Sequence, residues 1–157
     1  MAVIKSAGIL LYKRDNLLKV FLIHPGGPFF KNKDEGFWGI PKGQINLGEN
    51  FLAAGIREMK EETGIEVSGK EFISLGTVKQ KNGKIVHAWA CEGDWSGLLI
   101  CKSWVTLENP ARSGNFVKFA EVNRAGFFTV EEARKKMNAA QWAFVERLEN
   151  ILSKKEI

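Results

Sequence analysis

The chain has 157 residues, 45% of them hydrophobic and 26% charged, which fits one globular domain over residues 1–157 rather than two. No apolar run approaches the roughly 20 residues of a membrane span, and Met1 to Lys5 leads into strand-like sequence rather than a signal peptide, so a cytoplasmic protein with no membrane partner is expected. The formal charge of +5 favours encounter with a phosphorylated small molecule or RNA. The lysines are dispersed, however, and form no block of nucleic-acid-binding type.

Ser6 to Tyr12 and Leu17 to Ile23 are apolar runs around a polar break at Arg14, Asp15 and Asn16, the pattern of a hairpin. Pro25 to Gly43 is rich in glycine and proline yet holds Phe29, Phe30, Phe37 and Trp38, so a loop with aromatic anchors is predicted. From Asn50 to Thr63 the period becomes helical, with Asn50 as N-cap and Gly64 at the left-handed C-terminal position. Leu52, Ile56, Met59 and Thr63 make the stripe expected to face a sheet.

Phe72 to Val78 and Lys84 to Cys91 flank Asn82-Gly83, a second hairpin, and Leu98 to Leu107 is predicted as a further strand. A short strand at Phe127-Phe128 follows. Thr129 and Glu132 have capping-box spacing, and Trp142, Val145, Leu148 and Leu152 mark the buried face of a final helix. The order of elements predicts a mixed α/β fold. Cys91 and Cys101 stand singly, with no Cys/His cluster around them, so reduced thiols are expected and a zinc site is not.

On the first helix Glu58, Glu61 and Glu62 share one arc at about 100° per residue. Crowded carboxylates repel unless a cation binds among them, and an oxygen-only set favours Mg2+ or Mn2+ over zinc. Taken alone the cluster reads equally well as a solvated acidic face supported by an Arg57–Glu61 ion pair. Its setting decides between the two. Gly43, Glu49, Arg57-Glu58-Met59, Glu61-Glu62 and Gly64-Ile65 resemble the Nudix box, G-x5-E-x7-R-E-U-x-E-E-x-G-U with U aliphatic, at all nine specified positions. The run Trp38-Gly39-Ile40-Pro41-Lys42-Gly43 is similar to the W-x-x-P-K-G segment that leads into the box in members acting on dinucleoside polyphosphates and RNA 5′ ends.

The resemblance covers about Ser6 to Leu148. It implies an α/β/α sandwich around a mixed sheet and hydrolysis of a diphosphate linkage in a nucleotide. By it, Glu58 and Glu62 are the main metal ligands, Glu61 is a further ligand or carries a second metal, and the Gly43 carbonyl completes the shell. Arg57 and Glu49 brace loop against helix, and Arg57, Glu61 and Glu121 make up the implied catalytic set. Glu121 resembles the late glutamate of tetraphosphatase and RNA pyrophosphohydrolase relatives and is the expected general base, with Glu92 as the other candidate. Lys42, in a tight Pro-Lys-Gly turn, and Arg112, in a polar loop, are expected to meet substrate phosphates. His24 and His87 read as structural. Trp38, Phe29 and Trp104 suit either base stacking or core packing.

The expected substrate is a nucleoside or dinucleoside polyphosphate, with an RNA 5′ end or an oxidised nucleoside triphosphate as alternatives. A catalytically silent nucleotide sensor is the contrasting possibility, and it would show a broken carboxylate set. Here the set is complete.

Overall fold

A computed structural model describes residues 3–155; Met1 and Ala2, on which part of the reading of the chain start falls, lie outside the described residues. Strand β1 (Lys5–Arg14) is followed by β2 (Leu18–Pro25), a three-residue β3 (Lys42–Gln44), helix α1 (Phe51–Thr63), β4 (Ile73–Lys79) and β5 (Ile85–Glu92). Beyond them come β6 (Trp104–Glu108), β7 (Phe116–Ala120), β8 (Val122–Thr129), α2 (Val130–Lys136) and α3 (Trp142–Lys155). The main sheet runs β4-β5-β1-β2-β8 with β3 also on β1, and β6 and β7 form a separate ribbon.

β1 is the hub of this arrangement. Its first half pairs antiparallel with β3, its second half pairs antiparallel with β2, and its other edge pairs parallel with β5. Every residue from Ser6 to Tyr12 is buried, because helices cover both faces of the sheet. Alternate side chains divide between two cores. Leu10, Tyr12, Val20 and Leu22 pack with Phe144, Val145 and Leu148 of α3, whereas Ile9, Leu11 and Phe21 pack with Met59 of α1. The expected α/β/α sandwich on a mixed sheet is therefore observed.

Both hairpins stand as read, and so do the Asn50 cap, which accepts from Ala53 N, the left-handed Gly64 (φ 84°) and the Thr129/Glu132 capping box. Leu98 to Leu107 is corrected: only Trp104–Glu108 is strand. Residues 98–103 have another task, since Ile100 N donates to Thr63 O at 3.1 Å and Lys102 N to Glu61 O at 2.7 Å. Those carbonyls end α1 and have no partner within the helix, so this strap caps the helix rather than joining a sheet. Strand β7 has no counterpart in the sequence reading, and β8 begins at Val122, well before Phe127. Lys42 is likewise corrected from a tight turn to the first residue of β3, paired with Gly8. Among the described residues no helix is long and apolar enough to cross a membrane.

Candidate functional site

α1 carries the acidic residues on the arc that helical spacing gives, but they are not equally exposed along it. Glu62 is 5% exposed, under the extended Pro41 to Gly43 segment, and its Oε1 accepts from Lys42 N at 3.2 Å. The Glu58 side chain is 12% exposed and that of Glu61 is 45% exposed. Thus the arc runs from the interior to the surface. Gly43 lies directly against Glu58: a Cβ there would come within 2.0 Å of the carboxyl carbon, so only glycine lets the β3 backbone approach this closely.

Arg57 organises the outer half. Its guanidinium donates to both Glu49 oxygens at 2.8 and 2.9 Å, to Glu58 Oε1 at 2.8 Å, to Glu61 Oε2 at 3.2 Å and to Gln44 O at 3.2 Å. Five bonds from one planar fork fasten the loop before α1 to the helix. These bonds, together with the Asn46 amide, lower the Glu49 carboxyl to about 2, and the bonds to Glu49 raise the Arg57 guanidinium above its ordinary value. The bracing pair read from the sequence is present.

The inner half is short of positive charge. Burial, then the charges of Glu58 and Glu121 and contact with the Glu121 carboxyl, push Glu62 up to about 9. Burial also raises Glu58, against the opposing pull of Arg57. Lys42, the cation facing this group, is itself lowered by burial, with Glu62, Glu121 and Glu58 acting to restore its charge. A buried carboxyl crowded by neighbouring carboxylates, as Glu62 is, holds a proton unless a cation displaces it. The donor chemistry therefore fits a hard divalent ion. Among the described residues no three His, Cys, Asp or Glu side chains already stand as a closed metal cage, and Arg57 Nη1 occupies Glu58 and Glu61 meanwhile.

Glu121 reaches the box through its position at the one-residue joint between β7 and β8. Its N donates to Ser103 O at 2.9 Å, and its O accepts from Gly26 N at 2.8 Å. The strap that caps α1 thereby also holds Glu121 beside Glu62. Lys42, Glu62 and Glu121 line one end of a cleft of about 600 Å3. Phe29, Phe30, Phe37, Trp38 and Phe119 line the rest, with Val105 and Leu107 from β6 and the amides of Gln80, Asn138 and Gln141. A polar end and an aromatic body are features of a small-molecule pocket.

Other residues fall elsewhere. Arg112 sits exposed at the tip of the β6–β7 ribbon with φ 62°, its N–H bonded to Glu108 Oε1 at 2.6 Å, and it does not line the cleft. Glu92 ends β5 and accepts two 3.2 Å bonds from Arg14 beside a different cavity. His24 is fully buried, its Nε2 donating to Lys33 O at 2.6 Å, and His87 stacks on Trp89 at 4.0 Å; both fit the structural reading. Trp38 is packed between His24 and Phe128 with one edge on the cleft, while Trp104 is 56% exposed on the outer face of the ribbon. Cys91 and Cys101 are free thiols. Gln80, Asn138 and Gln141 have no sequence signal, because isolated amides carry no spacing of their own.

The NUDIX domain model matches residues 4–148. Nudix hydrolase 10 of Arabidopsis thaliana is 49% identical over 40 residues, 26% of this chain and 14% of its own length. The asymmetrical bis(5′-nucleosyl)-tetraphosphatase of Mus musculus is 30% identical over 100 residues, covering 57% of this chain and 65% of that protein. The chain thus spans less than two thirds of these relatives. A binary complex of the C. elegans Ap4A hydrolase superposes with a TM-score of 0.67 at 21% identity, covering 95% of this chain and 98% of that one, which is a likeness of fold.

Proposed function

The chain belongs to the Nudix family, and from that premise we propose that it is a divalent-metal-dependent pyrophosphohydrolase cleaving a diphosphate linkage in a nucleoside or dinucleoside polyphosphate. The observation that carries this reading is the meeting of Glu62, Glu121 and Lys42 at one end of an aromatic cleft, with the Glu58 carboxylate acting on Glu62 and Lys42 from beside it. Likeness to the mouse tetraphosphatase supports a substrate with a nucleoside at the end of a phosphate chain.

Glu58, Glu62 and the Gly43 carbonyl would hold the ion, with Glu61 joining once it leaves Arg57. Mg2+ or Mn2+ suits this all-oxygen set. When bound, such an ion neutralises phosphate charge and makes water a better nucleophile at neutral pH. Lys42 donates to a phosphate oxygen and fixes the chain at the polar end. Aromatic side chains hold the base and exclude bulk water. Glu121 accepts the proton of the attacking water, its backbone clamped on both sides so that the carboxyl stays in place. Arg57 is a positioning residue. Reaction then rests mainly on orientation and charge stabilisation.

A panel of nucleoside triphosphates, dinucleoside polyphosphates and 5′-triphosphorylated RNA, turned over in 18O-labelled water with Mg2+ or Mn2+, tests the proposal. The expected result is cleavage of at least one soluble nucleotide, the label reporting which phosphorus is attacked. Tight nucleotide binding without cleavage of any of them would instead describe a sensor module.

Gly43→Ala tests the metal assignment from the backbone side. The added Cβ collides with the Glu58 carboxyl, so affinity for Mn2+ should fall about 10- to 100-fold, measured by electron paramagnetic resonance titration. Unchanged affinity would remove Glu58 and Gly43 from the ion's surroundings.

A further inference from the structure

The cleft wall beside Trp38 to Ile40 contains a short chain of amides whose polarity is fixed at one end. Ile40 N, a backbone donor with no alternative role, gives its hydrogen to Gln141 Oε1 at 2.9 Å. Gln141 is 3% exposed, and Gly39 leaves it room, since a Cβ at Gly39 would lie 2.6 Å from the same oxygen. With its oxygen committed, Gln141 can only donate through Nε2, which it does to Gln80 Oε1 at 2.9 Å. Gln80 must therefore present its oxygen to Gln141 and its NH2 elsewhere. That group makes no protein hydrogen bond among the described residues and is open to solvent, and half-buried Gln80 lines the cleft.

Asn138 repeats the pattern. Its Oδ1 accepts from Ala140 N at 3.0 Å, which leaves the NH2 half uncommitted on the same cleft wall. The Trp38 indole N–H is spent on Asp34 at 2.8 Å. The polar groups that the amide wall offers a ligand are thus donors, fixed by a backbone N–H rather than free to flip.

Building on the nucleotide reading above, we infer that this cleft selects a base with a ring carbonyl, a 6-oxopurine or a 4-oxopyrimidine, over its amino counterpart, and that Gln80 is the specificity-determining side chain. A carbonyl oxygen accepts from Gln80 Nε2. An exocyclic amino group in the same place sets donor against donor and leaves both unsatisfied.

The test is calorimetric binding of inosine against adenosine diphosphate, and of uridine against cytidine diphosphate, to the full chain with Mg2+. The parent should favour the oxo member of each pair about tenfold. Gln80→Glu keeps one oxygen on Gln141 Nε2 and turns an acceptor toward the ligand, so the oxo-to-amino ratio should fall at least about tenfold and approach inversion. The extra negative charge weakens both members alike and cancels in the ratio. Gln80→Leu should bring the ratio to about one, which keeps the proposal testable if the glutamate variant folds poorly.

Equal affinities in the parent, binding of neither pair, or an unchanged ratio in both variants would overturn the inference. Hydrolysis is scored separately. Base preference without turnover would sink the enzymatic reading and leave the selectivity standing, whereas turnover without base preference would do the reverse.

Discussion

Replacing Glu62 by glutamine is expected to lower turnover on the order of 10³-fold while making the metal-free protein more stable at neutral pH. The first effect follows from loss of a charged ligand in a buried site. The second follows from linkage. Glu62 has an ordinary value of 4.5 and is held at about 9 in the folded chain, so between those values the folded state binds more protons than the unfolded one, and stability falls as the pH rises. The contribution is full below about pH 4.5 and is lost on passing through about pH 9. Glutamine does not titrate, so the variant lacks this decline. Lys42, lowered by burial, slopes the opposite way, and the difference between parent and variant is therefore the quantity to measure. Melting temperatures of the metal-free proteins from pH 4 to pH 9 should diverge steadily, and excess Mn2+ should stabilise the parent more. Parallel curves would mean that Glu62 does not hold a proton in the folded state.

Glu121→Gln should cost about 10²- to 10⁴-fold in kcat, the range of general-base catalysis, with little change in KM. The acidic limb of the pH–rate profile should flatten. Because Glu121 helps to raise Glu62, removing its charge should leave Mn2+ affinity equal to that of the parent or higher, which separates a base from a ligand. Weaker Mn2+ binding with an intact acidic limb would reassign Glu121 to the metal shell. A loss under about tenfold would show that proton transfer to a side chain is not limiting.

The box was legible because its residues are local: Asn50, Arg57, Glu58, Glu61 and Gly64 sit on or beside one helix, where spacing alone fixes their relative directions. Legibility ended where distant segments fold over that helix. The spacing of Glu58, Glu61 and Glu62 gives their arc but not which end is covered, and Glu62 is buried by Pro41 to Gly43 and by Glu121, some 20 and 60 residues away. The strap at residues 98–103 resembles a strand in composition because it, too, is half apolar, yet its hydrogen bonds go to carbonyls at the end of α1. The same limit applies to the second candidate base. Glu92 and Glu121 both end apolar runs, and only the pairing of Tyr12 with Glu92, at the far end of β1 from Gly8 and Lys42, separates them.

The parallel pairing of β1 with β5 also sets an order of events during synthesis. Ser6 lies opposite Val86 and Tyr12 opposite Glu92, so the central strand can form its hairpin with β2 early but lacks its other neighbour until residues 26–92 have also left the ribosome. Throughout that interval the apolar run Ala7 to Leu11 presents a bare edge. An edge of that kind invites pairing with other nascent chains, and faster translation through residues 26–92 would shorten the time for which it is open.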